Sequence, residues 1–237
     1  MIFNVSGAEF LWGEPHNTMS DRSKANNSRI VRIGARQLEG ILTTPDSPKG
    51  LVVFAHGSGS SRLSPRNTLV AQALNGRGLA TLQFDLLTET EAMDRVNVFD
   101  IALLGERVME TVHWAQGEES TSALSIGLFG ASTGAAAALV AAAGLPEAIS
   151  AVVSRGGRPD LAAPVLDRVR APTLLIVGGA DHVVIELNEK AFKALTCEKR
   201  LDIVPGATHL FEEPGTLDQV VEAAGSWFEE RLQEGHP

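Results

Sequence analysis

The spacing of apolar and polar residues changes character along the chain, and each change marks an element. From residue 29 the pattern turns regular. Residues 29–33 and 37–43 read as two strands joined by a Gly-containing turn. Leu51 to Ala55 is a short, wholly apolar run, suited to a strand buried on both faces. Apolar residues at 69, 70, 73 and 74 predict a helix over 67–77, and residues 78–84 form the next strand. Apolar residues at 98, 101, 104, 108 and 112 make a helical stripe over 98–114. A strand over 123–129 runs into an alanine-rich helix over 132–143, the strongest helix former in the chain. Strands over 148–153, 172–177 and 199–204 alternate with helices around 186–195 and over 216–233. Strand–helix alternation from residue 51 onward predicts an α/β fold with a mostly parallel sheet and helices on both faces. The opening hairpin adds antiparallel edge strands.

Residues 1–28 stand apart. They are mixed at first and polar toward residue 28, and they read as a flexible lead-in or, through Phe3, Phe10, Leu11 and Trp12, as a docking segment. Met19 offers an alternative start. The expected organisation is therefore this segment followed by one domain over 29–237, a length that suits a single α/β unit.

Composition narrows the function. A hydrophobic content of 44% supports a sizeable core. A formal net charge of −9 with no basic stripe argues against nucleic acid and anionic membranes as partners. No apolar run is long enough to span a bilayer, and no basic region followed by an apolar stretch marks a signal peptide. The single cysteine, Cys197, suits a reducing cytoplasm and reads as an ordinary thiol. With six dispersed histidines it supplies neither a disulfide framework nor a Cys/His zinc site.

The candidate chemistry centres on Ser132, in the run Gly130, Ala131, Ser132, Thr133, Gly134 between a strand and a helix. A G-x-S-x-G in that context is a nucleophile elbow, whose small residues permit a tight turn that lifts the hydroxyl above the sheet edge. A serine hydroxyl needs a base, and the base needs an orienting carboxylate. Asp181 follows the strand over 172–177 through Gly178 and Gly179, which give the chain freedom to turn; His209 follows the strand over 199–204. Both therefore lie at the carboxyl edge of the sheet with Ser132. Taken singly, Asp181 also reads as a helix cap and His209 as a satisfied loop histidine. His182, next to Asp181, points away from it and is a poor base.

Acyl transfer also needs donors for an oxyanion. The backbone N–H of Thr133 is one; the N–H of Ser58, in the Gly/Ser loop after the 51–55 strand, is the other, with Gly59 as the near alternative. This loop matches neither common nucleotide-binding glycine pattern. His56 reads as a structural residue under the loop. Arg62, Arg66, Arg155 and Arg158 lie near the same edge. They suit a substrate carboxylate or phosphate, or pairing with local acids including Asp85 and Asp160, and pairing is the favoured expectation.

His56-Gly57, the Gly130–Gly134 elbow, the run from Gly178 to Asp181 and the run from Ala207 to Pro214 together resemble the α/β-hydrolase superfamily, in its compact dienelactone-hydrolase-like branch. The resemblance covers about residues 29–237. It implies the α/β-hydrolase fold with an eight-stranded, mostly parallel sheet, and carboxylic-ester hydrolysis without a cofactor. It assigns Ser132, Asp181 and His209 as the triad, in the Ser…Asp…His order, and Ser58 and Thr133 as the oxyanion hole. The namesake enzymes use a cysteine nucleophile where this chain has serine, so dienelactone itself is not the expected substrate. Only about eighteen residues separate the 148–153 and 172–177 strands, so no large cap domain fits there and an open, shallow site is expected. The expected partner is a small-molecule acyl substrate, and a homo-oligomer is left open. The alternatives are a thioesterase or peptidase using the same triad, or a non-enzymatic receptor or scaffold on the same fold.

Overall fold

The computed structural model describes residues 27–232. The segment over 1–28 expected to lead in or dock therefore lies outside the described residues, apart from Asn27 and Ser28, which begin the first strand. Eight strands, β1 (Asn27–Ile33), β2 (Leu38–Thr44), β3 (Leu51–Ala55), β4 (Ala80–Phe84), β5 (Ile126–Ala131), β6 (Ile149–Arg155), β7 (Thr173–Gly178) and β8 (Lys199–Val204), form one sheet. Their order is β1-β2-β4-β3-β5-β6-β7-β8. β1 pairs antiparallel with β2 and β2 antiparallel with β4, and every later pairing is parallel. This is the α/β-hydrolase fold, with the opening hairpin at one edge.

The all-buried strands show why the sheet is covered on both faces. Every residue of β3, β4, β5 and β7 is buried. Alternate side chains pack on opposite layers. Val53, Leu82, Leu128, Val152 and Leu175 face α4 (Ile101–Gly117), α5 (Thr133–Gly144) and α6 (His182–Ala194). Val52, Phe54, Phe129, Val153 and Leu174 face α1 (Pro65–Gly76) and α7 (Thr216–Arg231). Gly105 lets α4 come close to α5: a Cβ added there would sit 2.5 Å from Val140 of α5.

One stretch departs from the helices expected from periodicity. The helix expected over 98–114 starts at Ile101, because Asp100 caps it by accepting from the Leu103 amide. Two short helices, α2 (Glu89–Ala92) and α3 (Arg95–Phe99), precede it, started by Thr88 and Asp94 as caps. Between β6 and β7 the chain makes a 3-10 stretch over Pro159–Arg168 that packs on α5 and α6, so no large cap domain is inserted. Among the described residues, no helix is long and apolar enough to cross a membrane.

Candidate active site

The strand β5 ends at Ala131 and α5 begins at Thr133, leaving Ser132 alone in the turn with φ 51° and ψ −121°. This is a backbone region that side chains rarely adopt, and holding one there costs about 1–3 kcal/mol. The surroundings enforce it. The Ser132 amide donates to the Arg155 carbonyl at 3.2 Å, and the Ser132 carbonyl accepts from the amides of Ala135 and Arg158, both at 3.1 Å. The flanking glycines are needed for space. A Cβ at Gly130 would lie 2.4 Å from Ala135 Cα, and one at Gly134 would lie 2.2 Å from the Ala55 carbonyl oxygen. Ser132 is thereby raised at the sheet edge with the N-terminal end of α5 directly behind it.

Asp181 occupies the cap position of α6 but makes no side-chain cap hydrogen bond. Its carboxylate instead meets His209, with Oδ2 2.7 Å from Nδ1. A carboxylate only accepts, so Nδ1 carries the proton and Nε2 is left with a free lone pair. The two loops approach closely, and this is what Gly178 is for. Its φ is not positive, so it supplies no unusual turn; a Cβ there would lie 2.4 Å from the Ala207 carbonyl oxygen of the histidine loop. The expectation that Gly178 and Gly179 provide turning freedom is corrected accordingly: they provide room.

The histidine loop is held at several points. Glu213 accepts from the Thr208 amide at 3.0 Å and from the Thr208 hydroxyl at 2.7 Å, and these bonds hold its carboxyl below the usual range. Phe211 is buried with φ 56°. Gly156, at the end of β6, fits beneath: a Cβ there would lie 3.1 Å from the His209 carbonyl oxygen and 3.6 Å from His209 Nδ1. Since the preceding residue, Arg155, accepts the Ser132 amide, His209 and Ser132 flank the same strand end. Among the hydrogen bonds of the described residues, none joins the Ser132 hydroxyl to His209.

On the other side, the loop after β3 meets the first turn of α5. The Ser58 amide donates to the Thr133 hydroxyl at 2.8 Å, so the two residues expected to hold an oxyanion are brought together. As the first residue of its helix, Thr133 has no intrahelical acceptor for its own amide. His56 ties the loop down. Its Nε2 accepts the Leu86 amide at 3.1 Å, which leaves the proton on Nδ1, directed at the Gly57 carbonyl at 3.0 Å. Burial pushes the His56 pKa down, consistent with a neutral structural ring.

A cleft of about 720 Å³ opens from Ser58 and Thr133. Its walls are the β1–β2 hairpin, the loop after β3, the stretch from Asp85 to Ala92, and Val98 and Leu104. The cleft is walled by the connection between β4 and α4 rather than by an insertion after β6. Ser132 and His209 do not line this cleft, which reaches the site from the side of Ser58 and Thr133. Of the four arginines near the edge, three pair as expected: Arg62 with Asp85 and Glu39, Arg158 with Asp160 at 2.8 Å, and Arg66 with Glu212 at 2.9 Å. Arg155 does not.

The model of the dienelactone hydrolase family matches residues 38–233. A dienelactone hydrolase from Anabaena variabilis is 51% identical, with a TM-score of 0.84 over 89% of this chain and 99% of that one. Est1E from Butyrivibrio proteoclasticus is 18% identical with a TM-score of 0.72, over 86% of this chain and 98% of that one, a likeness of fold. A Mycobacterium tuberculosis protein named "Putative phosphoribosyl transferase" is 57% identical over 202 residues. That match takes in 85% of this chain but only 46% of the relative, so the chain spans about half its length.

Proposed function

The chain belongs to the dienelactone hydrolase family, and from that premise we propose that it is a serine hydrolase that cleaves small carboxylic esters through an acyl-enzyme on Ser132. The observation that carries this reading is the 2.7 Å contact between His209 Nδ1 and an Asp181 carboxylate that the helix cap leaves unused.

In this mechanism the Ser132 hydroxyl attacks the ester carbonyl while His209 Nε2 takes its proton. Asp181 keeps the ring in the Nδ1–H tautomer and stabilises the imidazolium that forms. The oxyanion is received by the Thr133 amide and by the Ser58 amide, which exchanges the threonine hydroxyl for the substrate oxygen. His209 then gives its proton to the departing alcohol, and the same residues activate water to release the acid. The Ser132–His209 hydrogen bond closes when substrate is bound, as such contacts are often long in the free enzyme. The cleft beside Ser58 and Thr133 takes part of the substrate. The reaction asks for no cofactor, and its partner is a small acyl compound. The same apparatus serves a thioester or amide, and substrate comparison decides between them.

The relative named as a phosphoribosyl transferase is about twice as long as the matched region. The arrangement around Ser132 supports acyl chemistry for this half. Hydrolysis of p-nitrophenyl esters of increasing chain length tests the reading. Turnover that vanishes in Ser132→Ala supports it; turnover retained by that variant rules Ser132 out as the nucleophile.

A further inference from the structure

Arg155 is the anomaly of the structure. It is only 7% exposed, yet no carboxylate among the described residues lies within ion-pair distance of it. Its Nε and Nη1 are buried without an acceptor, and the one hydrogen bond of its side chain among the described residues is a long contact of 3.4 Å from Nη2 to Asn67 Oδ1. A buried guanidinium without an anion is costly, and such groups are nearly always compensated. Its charged neighbour is Arg66, whose Nη1 pairs with Glu212 at 2.9 Å. Arg66 stands close enough to help burial push the Arg155 pKa down to about 10, which still leaves the group charged at neutral pH. The Nε of Arg66 is also buried without an acceptor. Arg66 lies in the first turn of α1 and Arg155 reaches Asn67 of the same turn, which carries no acidic residue; the Asn67 and Thr68 amides there are already taken by Ser64.

We infer that Arg155 and Arg66 form a binding site for a small oxyanion, a carboxylate or phosphate group, beside the loop that carries His209. The position gives the site consequence. The Arg155 guanidinium lies 5.9 Å from the Phe211 ring, and Arg66 holds Glu212, so both arginines grip the histidine loop. The Arg155 carbonyl is bonded to the Ser132 amide. The oxyanion is either a free ion or the anionic group of a bound substrate, and both sources satisfy the same donors.

Thermal unfolding of the full chain, titrated with inorganic phosphate against chloride at equal ionic strength, tests the site. Phosphate at about ten times its Kd should raise the melting temperature by about 3 °C. The gain should vanish in Arg155→Met and in Arg66→Gln. In phosphate-free buffer Arg155→Met should melt no lower than wild type, because an apolar side chain replaces an uncompensated charge. Arg66→Gln, at a half-exposed position, keeps the test standing if Arg155→Met does not fold. No gain over chloride in wild type, or an equal gain in the variants, overturns the inference. The source is read from kinetics, the one arm that rests on the esterase reading. Phosphate competing with a neutral ester, with a preference for carboxylate-bearing esters lost in Arg155→Met, assigns the site to the substrate. Non-competitive inhibition or activation assigns it to a free ion. A protein that turns over no ester still answers the melting experiment, so the two readings fail separately.

Discussion

The Ser58 amide is hydrogen-bonded to the Thr133 hydroxyl at 2.8 Å, which puts one expected oxyanion donor in contact with the residue that supplies the other. The hydroxyl holds the loop after β3, and in the proposed reaction it is exchanged for the oxyanion. Thr133→Val removes the acceptor and leaves the Ser58 amide unpaired, so kcat should fall on the order of tenfold with little change in KM. Thr133→Ser should restore most of it. Steady-state kinetics on one ester reads both.

Asp181 sits at a helix start without capping it, so its removal should separate catalysis from stability. Asp181→Asn should lower kcat by about 10³–10⁴-fold through the wrong histidine tautomer. Its melting temperature should stay close to that of wild type. A large drop in melting temperature with modest loss of rate would make Asp181 a structural residue.

The backbone of Ser132, at φ 51° and ψ −121°, should hold strain that glycine relieves and alanine does not. Ser132→Gly should therefore melt about 2–4 °C above Ser132→Ala, while both are inactive. Scanning calorimetry on the pair gives the answer, since both lack the hydroxyl and differ mainly in the Cβ.

His56 makes stability fall with acid. Burial lowers its pKa below the usual 6.5, so the unfolded chain binds the proton more readily. Its contribution is present above pH 6.5 and is lost as pH falls below that value toward the lowered one. Between about pH 7 and pH 5 the melting temperature of wild type should drop more steeply than that of His56→Gln. Parallel curves would mean that the ring is not held neutral.

The parts of the fold legible in the sequence were those with a strong local signature. Leu51 to Ala55 is buried at every position, and a strand covered on both faces reads as an unbroken apolar run. The elbow was legible because its glycines are demanded by contacts with the adjoining turn and the end of β3. The short helices α2 and α3 were not, since Thr88 to Phe99 is too short for a period to show and is organised by the caps Thr88 and Asp94. Gly178 illustrates another limit: a sequence does not distinguish a glycine that turns from one that makes room for a neighbouring loop. The arginines show a third. Arg155 and Arg158 are three residues apart with one acid, Asp160, nearby, and only the fold shows that Arg158 takes it while Arg155 is carried inward.

The central claim is that Ser132 is a nucleophile activated by His209. Labelling of the intact protein with a fluorophosphonate, read by mass, tests it most directly. The account predicts a single adduct on wild type, absent from Ser132→Ala and slowed by about 10³-fold or more in His209→Ala. A folded wild type that takes no label, or a Ser132→Ala variant labelled as fast as wild type, would contradict it.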